Sequence, residues 1–361
     1  MNPFVLAFEA CDATMLAQVG GKCSSLGELT RNGFIVPPGF AVTTEAFVQH
    51  LEVNGLNAKI HAALEGLNTS DNDMLDRVSL EIRTLIETSP MPENIARAIE
   101  KEYASLAARL SLREPPVAVR SSATAEDLPG ASFAGQQDTY LYVVGVAAVL
   151  EHTRKCWASL YTSRAIAYRF DSGFPHEKVL MAVGVQKMVN ARAAGVAMTL
   201  NPINGDRSKI VIDSSFGLGE TVVSGTVTPD NFVIDKVILE VVKRQISRKH
   251  IEIVPDVANR TTIELEISSE RQLEPSLTLE EIKAVASIAK RCEQHAGKAQ
   301  DVEWALDADL PEGENVVLLQ SRPETVWSQK PAAPASSSAY QTGMASMLNT
   351  LMNPIGTKKK D

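Results

Sequence analysis

Apolar residues follow a helical period in the first part of the chain and later form the short runs that are typical of strands. They recur at steps of four, three and four from Ile99 to Leu110, which predicts a helix over residues 92–110. From about residue 178, short apolar runs are separated by Gly, Asn and Pro, as in successive strands. The pattern therefore predicts an α+β fold whose second part is centred on a sheet.

Residues at the ends of these runs predict where helices begin and end. Thr43 and Thr44 follow the short predicted strand FAV and are placed to cap a helix. Thr278 and Glu281 form a capping box ahead of LEEIKAVASIAKRCEQHA, and Gly297 is placed to end that helix. A further helix is predicted around CWASLYTSRAIAYRF. Strands are predicted at FVLAF, PPVAVRSSA, DTYLYVV, KVLMAVGVQKMV, AAGVAMTLN, KIVIDSSFGLGE, DNFVIDK and LEVVKRQIS.

The last two predicted strands bring polar and charged side chains together. If DADLPEGEN is the loop between DVEWAL and VVLLQSR, the strands form a hairpin with Glu303 roughly opposite Gln320. Side chains two residues apart in a strand point the same way, so Asp301 shares a face with Glu303. By the same rule, Gln320 and Arg322 share a face with Leu318. Carboxylate and amide oxygens suit Mg²⁺ and a guanidinium suits phosphate, although a solvated hairpin with one ion pair is the alternative.

Three further segments carry residue types that handle phosphate. In VGGK, two glycines precede Lys22, so bare backbone amides can approach an anion closely; Leu16 stands where a Walker A loop needs its first glycine. VAVRSSA places Arg120 among apolar neighbours, where an arginine needs an anionic partner or solvent. GASFAGQQ has small residues between glycines, which suits a flexible flap over a polyphosphate. A simple turn at VGGK and an ordinary surface loop at GASFAGQQ are the alternatives.

Two other motifs have structural explanations. GLGE lacks the third glycine of a dinucleotide-binding loop, so it is interpreted as a tight turn near the site. In GVQKMVN, the strand from Val185 to Val189 could present its edge to a purine ring, although such a strand is also common in protein cores.

Composition and charge narrow the possible functions. The chain has 44% hydrophobic and 22% charged residues, as an ordinary globular protein does, and a formal net charge of −9. This charge argues against non-specific binding of nucleic acid and of anionic membranes. The N-terminal residues carry acid where a signal peptide needs base, and no apolar run is long enough to span a bilayer, so we expect a cytoplasmic protein. The four scattered cysteines are expected to be reduced structural thiols.

Six segments, in order, resemble one known family. They are VGGKCSSLGEL, PVAVRSSATAEDLPGASFAGQQDTYL, GVAMTLNPI, GLGETVVSGTVTPDNF, DVEWAL and LLQSRPET, and they extend over almost all of residues 12–327. Together they resemble the ATP-binding part of the phosphoenolpyruvate synthase and pyruvate phosphate dikinase family. The resemblance implies an ATP-grasp-like fold in which the nucleotide lies between two lobes.

The same resemblance implies ATP and Mg²⁺ as cofactors and gives each motif a role. The implied site residues are the phosphate ligands Lys22, Arg120 and Arg322, the Mg²⁺ ligands Glu303 and Gln320, the loop residues Ser132, Gly135 and Gln136 over the triphosphate, and the adenine-side residues Gln186, Met188 and Val189. The three phosphate ligands are the implied catalytic residues.

Members of this family usually pass the β-phosphoryl group of ATP to a histidine on a swivelling domain, while the γ-phosphate leaves to water. That histidine lies in a Gly- and Thr-rich loop with a T-S-H-A-like core. Among the six histidines of this chain, His61 in AKIHAALEG is the nearest likeness, but Ile60, Ala63 and Leu64 make that stretch an amphipathic helix. We therefore expect a partner subunit to carry both the phosphohistidine and the acceptor-binding domain.

The expected domains are an N-terminal lobe over residues 1–185, a C-terminal lobe over residues 186–329, and a flexible linker and tail over residues 330–361. The linker is predicted from the Pro, Ala and Ser content of KPAAPASSSA.

Three hypotheses for the function follow. The main one is the ATP-binding subunit of a split enzyme that phosphorylates phenol to phenylphosphate, because the separate ATP-binding subunit of such an enzyme is similar in size and extent. The second is the corresponding subunit of another member, with pyruvate, a glucan or an antibiotic as the acceptor. The third, a non-catalytic ATP-sensing module, is disfavoured because the implied phosphate and metal ligands are all present.

Overall fold

The computed structural model describes residues 3–124, 138–175 and 179–327. Within these ranges the helices are α1 (Leu16–Arg31), α2 (Thr44–Val53), α3 (Leu56–Leu64), α4 (Asn72–Thr88), α5 (Glu93–Leu110), α6 (Val146–Ala158), α7 (Ser163–Asp171), α8 (Glu220–Val223) and α9 (Leu279–Ala296). The strands are β1 (Val5–Ala7), β2 (Gly39–Val42), β3 (Val117–Ala123), β4 (Thr139–Val143), β5 (Met181–Lys187), β6 (Ala191–Met198), β7 (Lys209–Phe216), β8 (Asp230–Asp235), β9 (Val241–Gln245), β10 (Ile251–Asp256), β11 (Thr261–Glu266), β12 (Gln300–Asp307) and β13 (Val316–Pro323). This mixture of helix and sheet agrees with the predicted α+β class, and α5 confirms the helix predicted over residues 92–110.

Most of these strands belong to two antiparallel sheets. The first sheet has the strand order β1-β2-β5-β3-β4, and the second has the order β13-β12-β6-β7-β8-β9. The chain divides into two compact units between Pro323 and Glu324, and both sheets lie in the first unit. The ATP-grasp-like arrangement of two lobes stays a prediction.

The first sheet packs against helices of the N-terminal part. Val183 of β5 is fully buried in a core that also holds Phe47 of α2 and Trp157 of α6. β5 therefore belongs to the first sheet, although the hydrophobic pattern predicts that the sheet-centred second part begins near residue 178. Residues 188–190 connect β5 of the first sheet to β6 of the second sheet.

The second sheet is covered by α9. Phe232 of β8 and Trp304 of β12 are buried in the core that α9 shares with this sheet. The predicted capping box is confirmed, because Thr278 and Glu281 each accept the backbone N–H of the other. Gly297 ends the helix with a φ of 66°, also as predicted.

Two local predictions differ from the structure. The helix predicted around residues 156–170 is divided into α6 and α7 by a 3-10 turn at Ser159–Tyr161. The division occurs because Thr162 is extended and its hydroxyl accepts a backbone N–H at the start of α7. Thr43 stands at the N-cap position of α2, but its hydroxyl donates to the carbonyl of Pro3 instead of capping the helix.

β10 and β11 form a separate antiparallel hairpin that the hydrophobic pattern does not predict. Ile263 and Leu265 of β11 are both exposed, so its apolar positions do not face a core. The backbone N–H of Leu218 donates to the carbonyl of Ile253 over 2.8 Å. This hydrogen bond ties the turn after β7 to β10.

α1 contains a break at the motif VGGK. Gly20 has a φ of 71° and a ψ of 173°, which interrupt the helix after its first turn. A Cβ atom on Gly20 would lie 2.0 Å from the carbonyl oxygen of Ser122 in β3. Glycine is therefore needed here for the close approach of α1 to the first sheet, and Lys22 follows two residues later. The segment VGGK, which the sequence predicts to be a phosphate-handling stretch or a simple turn, lies inside α1 at this break.

The described residues include no membrane-spanning helix and no disulfide. None of the described helices combines the length and the apolar character that crossing a membrane requires. The four cysteines are all buried and form no disulfide. Burial raises the pKa of the Cys11 and Cys292 thiols to about 12, so both stay protonated near neutral pH.

Candidate nucleotide-binding site

A cavity of about 460 Å³ lies between the two sheets. Its walls come from α1, β3, β4 and β5 on one side and from β6, β12 and β13 on the other, with α8 and the turn after β7 also lining it. Eight of the predicted site residues line it, and they are Lys22, Arg120, Gln186, Met188, Val189, Glu303, Gln320 and Arg322. The loop residues Ser132, Gly135 and Gln136 lie outside the described residues.

A second cavity, of about 670 Å³, lies among α2, α3 and α7. It is larger, but the described residues that line it are mainly apolar and include no lysine or arginine. His61 lies at its edge on α3, as the amphipathic pattern predicts for a helix residue. A polyphosphate requires positive charge, so of these two cavities in the described residues the one between the sheets suits a nucleotide.

The hairpin of β12 and β13 has the predicted register. Glu303 is paired with Gln320, and Asp301 is paired with Arg322. All four residues precede the division of the chain at Pro323. The sequence pattern therefore placed the carboxylates, the amide and the guanidinium next to each other correctly.

One detail of this hairpin is wrong in the prediction. Trp304 pairs with Leu318, so the register shifts by one residue and Leu319 is an extra residue in β13. A β-bulge of this kind reverses the alternation of faces along a strand. Leu318 is consequently buried in the core beneath the second sheet, whereas Leu319 and Gln320 line the cavity. The predicted common face of Leu318 and Gln320 does not exist.

Arg120 joins the two sheets across the cavity. Its Nη2 donates to Oε2 of Glu303 over 2.7 Å, and its Nη1 donates to the carbonyl of Leu319 over 3.0 Å. The side chain of Arg120 is 16% exposed and that of Glu303 is 24% exposed. The bulge thus contributes a backbone acceptor to the site.

The electrostatic environment keeps Glu303 ionised. Burial by itself raises the pKa of this carboxyl group, but the positive charges of Arg120, Lys22 and Arg322 and the hydrogen bond from Arg120 outweigh burial. The pKa of Glu303 therefore lies below its usual range. An ionised carboxylate at this place can bind a cation.

The other two cations have partners on their own sides of the cavity. The ammonium group of Lys22 donates a hydrogen bond to the carbonyl of Ser121 over 3.0 Å. Nε and Nη2 of Arg322 both donate to Oδ2 of Asp301, over 3.0 and 2.8 Å. Asp301 is absent from the predicted site residues, although the spacing of two residues from Glu303 had placed it on this face.

The same geometry limits how a Mg²⁺ ion could be held. No group of three His, Cys, Asp or Glu side chains converges as a metal site among residues 3–124, 138–175 and 179–327. Glu303 and Gln320 are paired neighbours that each offer oxygen atoms. Mg²⁺ is commonly held by one or two protein oxygens together with phosphate oxygens and water. The two side chains fit a metal that arrives with a nucleotide.

The opposite end of the cavity is apolar. Ala118, Met188, Val189, Leu218 and Ala305 belong to one buried cluster there. An apolar slot next to a charged end suits a molecule with a planar base and a phosphate chain.

The strand edge expected at the adenine side is partly used by the protein itself. The N–H of Met188 donates to the carbonyl of Pro116 over 2.9 Å, and Nε2 of Gln186 donates to the carbonyl of Pro37 over 3.3 Å. Lys187, which lies inside the strand from Val185 to Val189, and Glu220 of GLGE also line the cavity, although neither is among the predicted site residues. The interpretation of GLGE as a turn near the site is confirmed, because Gly219 and Glu220 lie at the cavity edge.

Comparison with known proteins agrees with this geometry. The family described as the pyruvate phosphate dikinase AMP/ATP-binding domain matches residues 16–342. The chain therefore belongs to this family, which consists of ATP-using phosphotransferases of the dikinase type.

Several curated relatives are named phosphoenolpyruvate synthases. A probable phosphoenolpyruvate synthase of Staphylothermus marinus is 46% identical over 332 residues, which cover 86% of this chain and 40% of that protein. The phosphoenolpyruvate synthase of Aeropyrum pernix is 42% identical over 350 residues, with 90% and 43% coverage. A probable phosphoenolpyruvate synthase of Methanocaldococcus jannaschii is 45% identical over 306 residues, with 85% and 25% coverage.

The chain thus spans less than half the length of these curated relatives. Their names favour the second hypothesis, a phosphoenolpyruvate-synthase-like protein, over phenol phosphorylation, without deciding between them.

Proposed function

We propose that this chain binds ATP with Mg²⁺ between its two sheets and transfers the β-phosphoryl group to a histidine outside these 361 residues. The γ-phosphoryl group goes to water, so the products are AMP, phosphate and the phosphohistidine. The observation that carries the proposal is that the potential metal ligands Glu303 and Gln320 line one cavity together with the predicted phosphate ligands, beside an apolar slot. Phosphoryl transfer depends mainly on positioning and charge neutralisation, which this arrangement supplies.

Each side of the cavity has its own part in the proposal. Lys22 and Arg120 hold the phosphate chain from the first sheet, and Arg322 holds its terminal end from the second. Glu303 and Gln320 hold Mg²⁺, which when bound neutralises charge on the phosphates. The apolar slot holds the adenine ring.

Pyruvate is the final acceptor that the comparisons favour, because the curated relatives are named phosphoenolpyruvate synthases. We extend the proposal to a phosphohistidine that delivers the group to pyruvate. The phosphohistidine domain and the acceptor-binding domain belong to a partner subunit or to a further segment of a longer chain. A cytoplasmic location, as the sequence predicts, is part of the same proposal.

A labelled-ATP experiment tests the reaction. The chain is incubated with ATP labelled in the β-phosphoryl group, with and without the histidine-bearing part of a phosphoenolpyruvate synthase relative. We expect AMP and phosphate to form rapidly, and the label to enter protein, only when the histidine is present. ADP formed by this chain alone would indicate a direct kinase and would contradict the proposal.

Site variants and acceptors complete the test. We expect Glu303→Ala and Arg322→Ala to abolish AMP formation while the proteins stay folded, whereas Lys209→Met, which lies outside the cavity, keeps it. Normal turnover by either folded site variant would contradict the site. Addition of pyruvate or phenol to the phosphorylated protein then separates the two acceptors. ATP binding with no turnover under any of these conditions would favour the ATP-sensing hypothesis.

A further inference from the structure

Residues 188–190 connect the two sheets and carry two of the side chains at the apolar end of the cavity. This connector is held by hydrogen bonds to both sheets. On the first side, the N–H of Met188 donates to the carbonyl of Pro116 over 2.9 Å. On the second side, the N–H of Ala308 donates to the carbonyl of Asn190 over 2.8 Å, and Nδ2 of Asn190 donates to Oδ1 of Asp309 over 2.9 Å.

A charged pair lies directly beside this connector. Nζ of Lys187, the last residue of β5, is 3.2 Å from Oδ2 of Asp307, the last residue of β12. The Asp307 side chain is only 4% exposed and that of Lys187 is 19% exposed. The other oxygen of Asp307, Oδ1, accepts the N–H of Asp309 over 3.1 Å. Lys187, Asp307 and Asp309 thus form one chain of contacts from the first sheet to the turn that holds Asn190.

Stability of the core does not by itself account for this charged pair. Removing two charges from water costs free energy that an ion pair repays only with good geometry, and apolar replacements are often as stable. A buried Lys–Asp pair next to a binding slot therefore calls for a role other than stability.

We propose that Lys187 and Asp307 are positioning residues that fix Met188 and Val189 against the base of the bound nucleotide. This inference rests on the proposed function, because it assumes that the cavity binds ATP. The pair acts through the connector and does not touch the phosphates.

The position of the pair explains why its effect is confined to the base. Asp307 lies four residues along β12 from Glu303, which corresponds to about 13 Å in an extended strand. Glu303 and Arg120 mark the charged end of the cavity, and Met188 and Val189 belong to its apolar cluster. Loosening the connector therefore changes the slot for the base and leaves the phosphate end intact.

Binding measurements with ATP, GTP and inorganic tripolyphosphate test the proposal. In the Lys187→Met variant we expect the affinity for ATP to fall about tenfold, a loss of about 1.4 kcal/mol. The preference for ATP over GTP should fall as well, while the affinity for tripolyphosphate stays that of the original protein. Lys187→Arg should restore most of the ATP affinity, because it keeps the charge opposite Asp307.

Two further variants make the test decisive. Lys187→Met leaves a buried carboxylate without its cation, so the double variant Lys187→Met/Asp307→Asn is measured if the single variant is unstable. Lys209→Met is the matched control, since it breaks a Lys–Asp pair of 2.9 Å outside the cavity and should change none of the affinities.

Unchanged ATP affinity and base preference in the folded variants would overturn the proposal. Equal losses for ATP and tripolyphosphate would overturn it too, because they indicate a general structural role. If the original protein itself binds no ATP, the proposed function fails first.

Discussion

The guanidinium of Arg120 and the carboxylate of Glu303 form an ion pair of 2.7 Å that joins the first sheet to the second. Arg120 is a proposed phosphate ligand and Glu303 a proposed metal ligand. The two groups therefore neutralise each other until both find other partners. A nucleotide that arrives with its metal supplies both partners at once, because Mg²⁺ attracts Glu303 while the phosphates attract Arg120.

This relationship predicts an unusual effect of Glu303→Gln on binding without metal. The variant keeps the size of the side chain but no longer competes with phosphate for Arg120. We expect ATP to bind about tenfold more tightly than to the original protein in the presence of a chelator, since a hydrogen bond between charged groups contributes about 1.5–3 kcal/mol and only part of it is recovered. With Mg²⁺ present, the variant should lose most of the gain in affinity that the metal gives the original protein. Titration calorimetry with and without Mg²⁺ measures both effects.

Glu293→Gln is the control for this measurement. It removes the same charge from a pair with Lys236 that does not line the cavity, so it should leave both affinities unchanged. If Glu303→Gln weakens ATP binding in the chelator, Arg120 and Glu303 do not compete as proposed.

The same carboxylate predicts a dependence of stability on pH. The pKa of Glu303 in the folded protein lies below the ordinary value of 4.5. The contribution of its ionised form to stability is therefore fully present above pH 4.5. This contribution is lost as the pH falls from 4.5 through the folded-state pKa. The difference in free energy of unfolding between the original protein and Glu303→Gln should be constant from pH 8 to about 5.5, where an ordinary glutamate stays ionised in both states. It should shrink below pH 4.5. Urea unfolding at a series of pH values measures it.

Asp213 provides a control, because the pH dependence of its contribution to stability has the opposite sign. Burial raises its pKa above the ordinary 3.8, although a hydrogen bond from Asn231 lowers it in part. A carboxyl group whose pKa is raised in the folded protein lowers the free energy of unfolding as the pH rises from its ordinary pKa to the raised one. Asp213→Asn should therefore gain stability relative to the original protein as the pH rises above 3.8. A pH dependence of the same sign in both variants would contradict the electrostatic explanation.

The sequence predicts the chemistry of the site better than its exact geometry. Strand periodicity was sufficient to pair Glu303 with Gln320, because side-chain direction and loop length follow from local rules. The bulge at Leu319 could not be predicted in this way, since nothing in VVLLQSR marks where an extra residue is inserted. The carbonyl that the bulge presents to Arg120 was missed for the same reason.

Long-range contacts explain the other differences. The sequence shows the glycines of VGGK but not why Gly20 must be a glycine. The reason is the close contact with the backbone of Ser122, which lies about a hundred residues later. Lys187 reads as one polar residue at the end of an apolar strand, and its partner Asp307 is 120 residues away. Neither pairing has a local sequence pattern, so both required the tertiary structure.

A completely buried ion pair predicts a large effect on stability elsewhere in the second sheet. Nζ of Lys249 lies 2.7 Å from Oδ1 of Asp230, and both side chains are 0% exposed. Asp230 also accepts the backbone N–H of Ser276 over 2.7 Å. Lys249→Met should lower the free energy of unfolding by about 3–5 kcal/mol, because it leaves a buried carboxylate without its cation. Urea unfolding at pH 7 measures the loss.

Lys209→Met serves as the comparison for this variant. The pair of Lys209 with Asp235 has a similar distance, 2.9 Å, but each side chain is 24% exposed. Its loss should cost no more than about 1 kcal/mol, as for other accessible pairs. Equal losses in the two variants would show that burial does not determine the contribution of these pairs.

The break in α1 predicts that Gly20→Ala affects both stability and nucleotide binding. Alanine at a φ of 71° and a ψ of 173°, a region that essentially only glycine adopts, carries backbone strain of about 1–3 kcal/mol, and its Cβ would in addition overlap the carbonyl of Ser122. Gly33 has nearly the same φ, 73°, but a Cβ there would meet nothing within 4 Å. Gly33→Ala therefore adds a side chain at a positive φ without the overlap. Gly20→Ala should be less stable than Gly33→Ala by about 1–3 kcal/mol, as for other overpacked sites. Because the overlap must move α1 away from β3, and Lys22 with it, Gly20→Ala should also bind ATP more weakly, whereas Gly33→Ala should bind it normally. Equal stability and equal ATP affinity of the two variants would mean that the contact with Ser122 does not hold Lys22 in place.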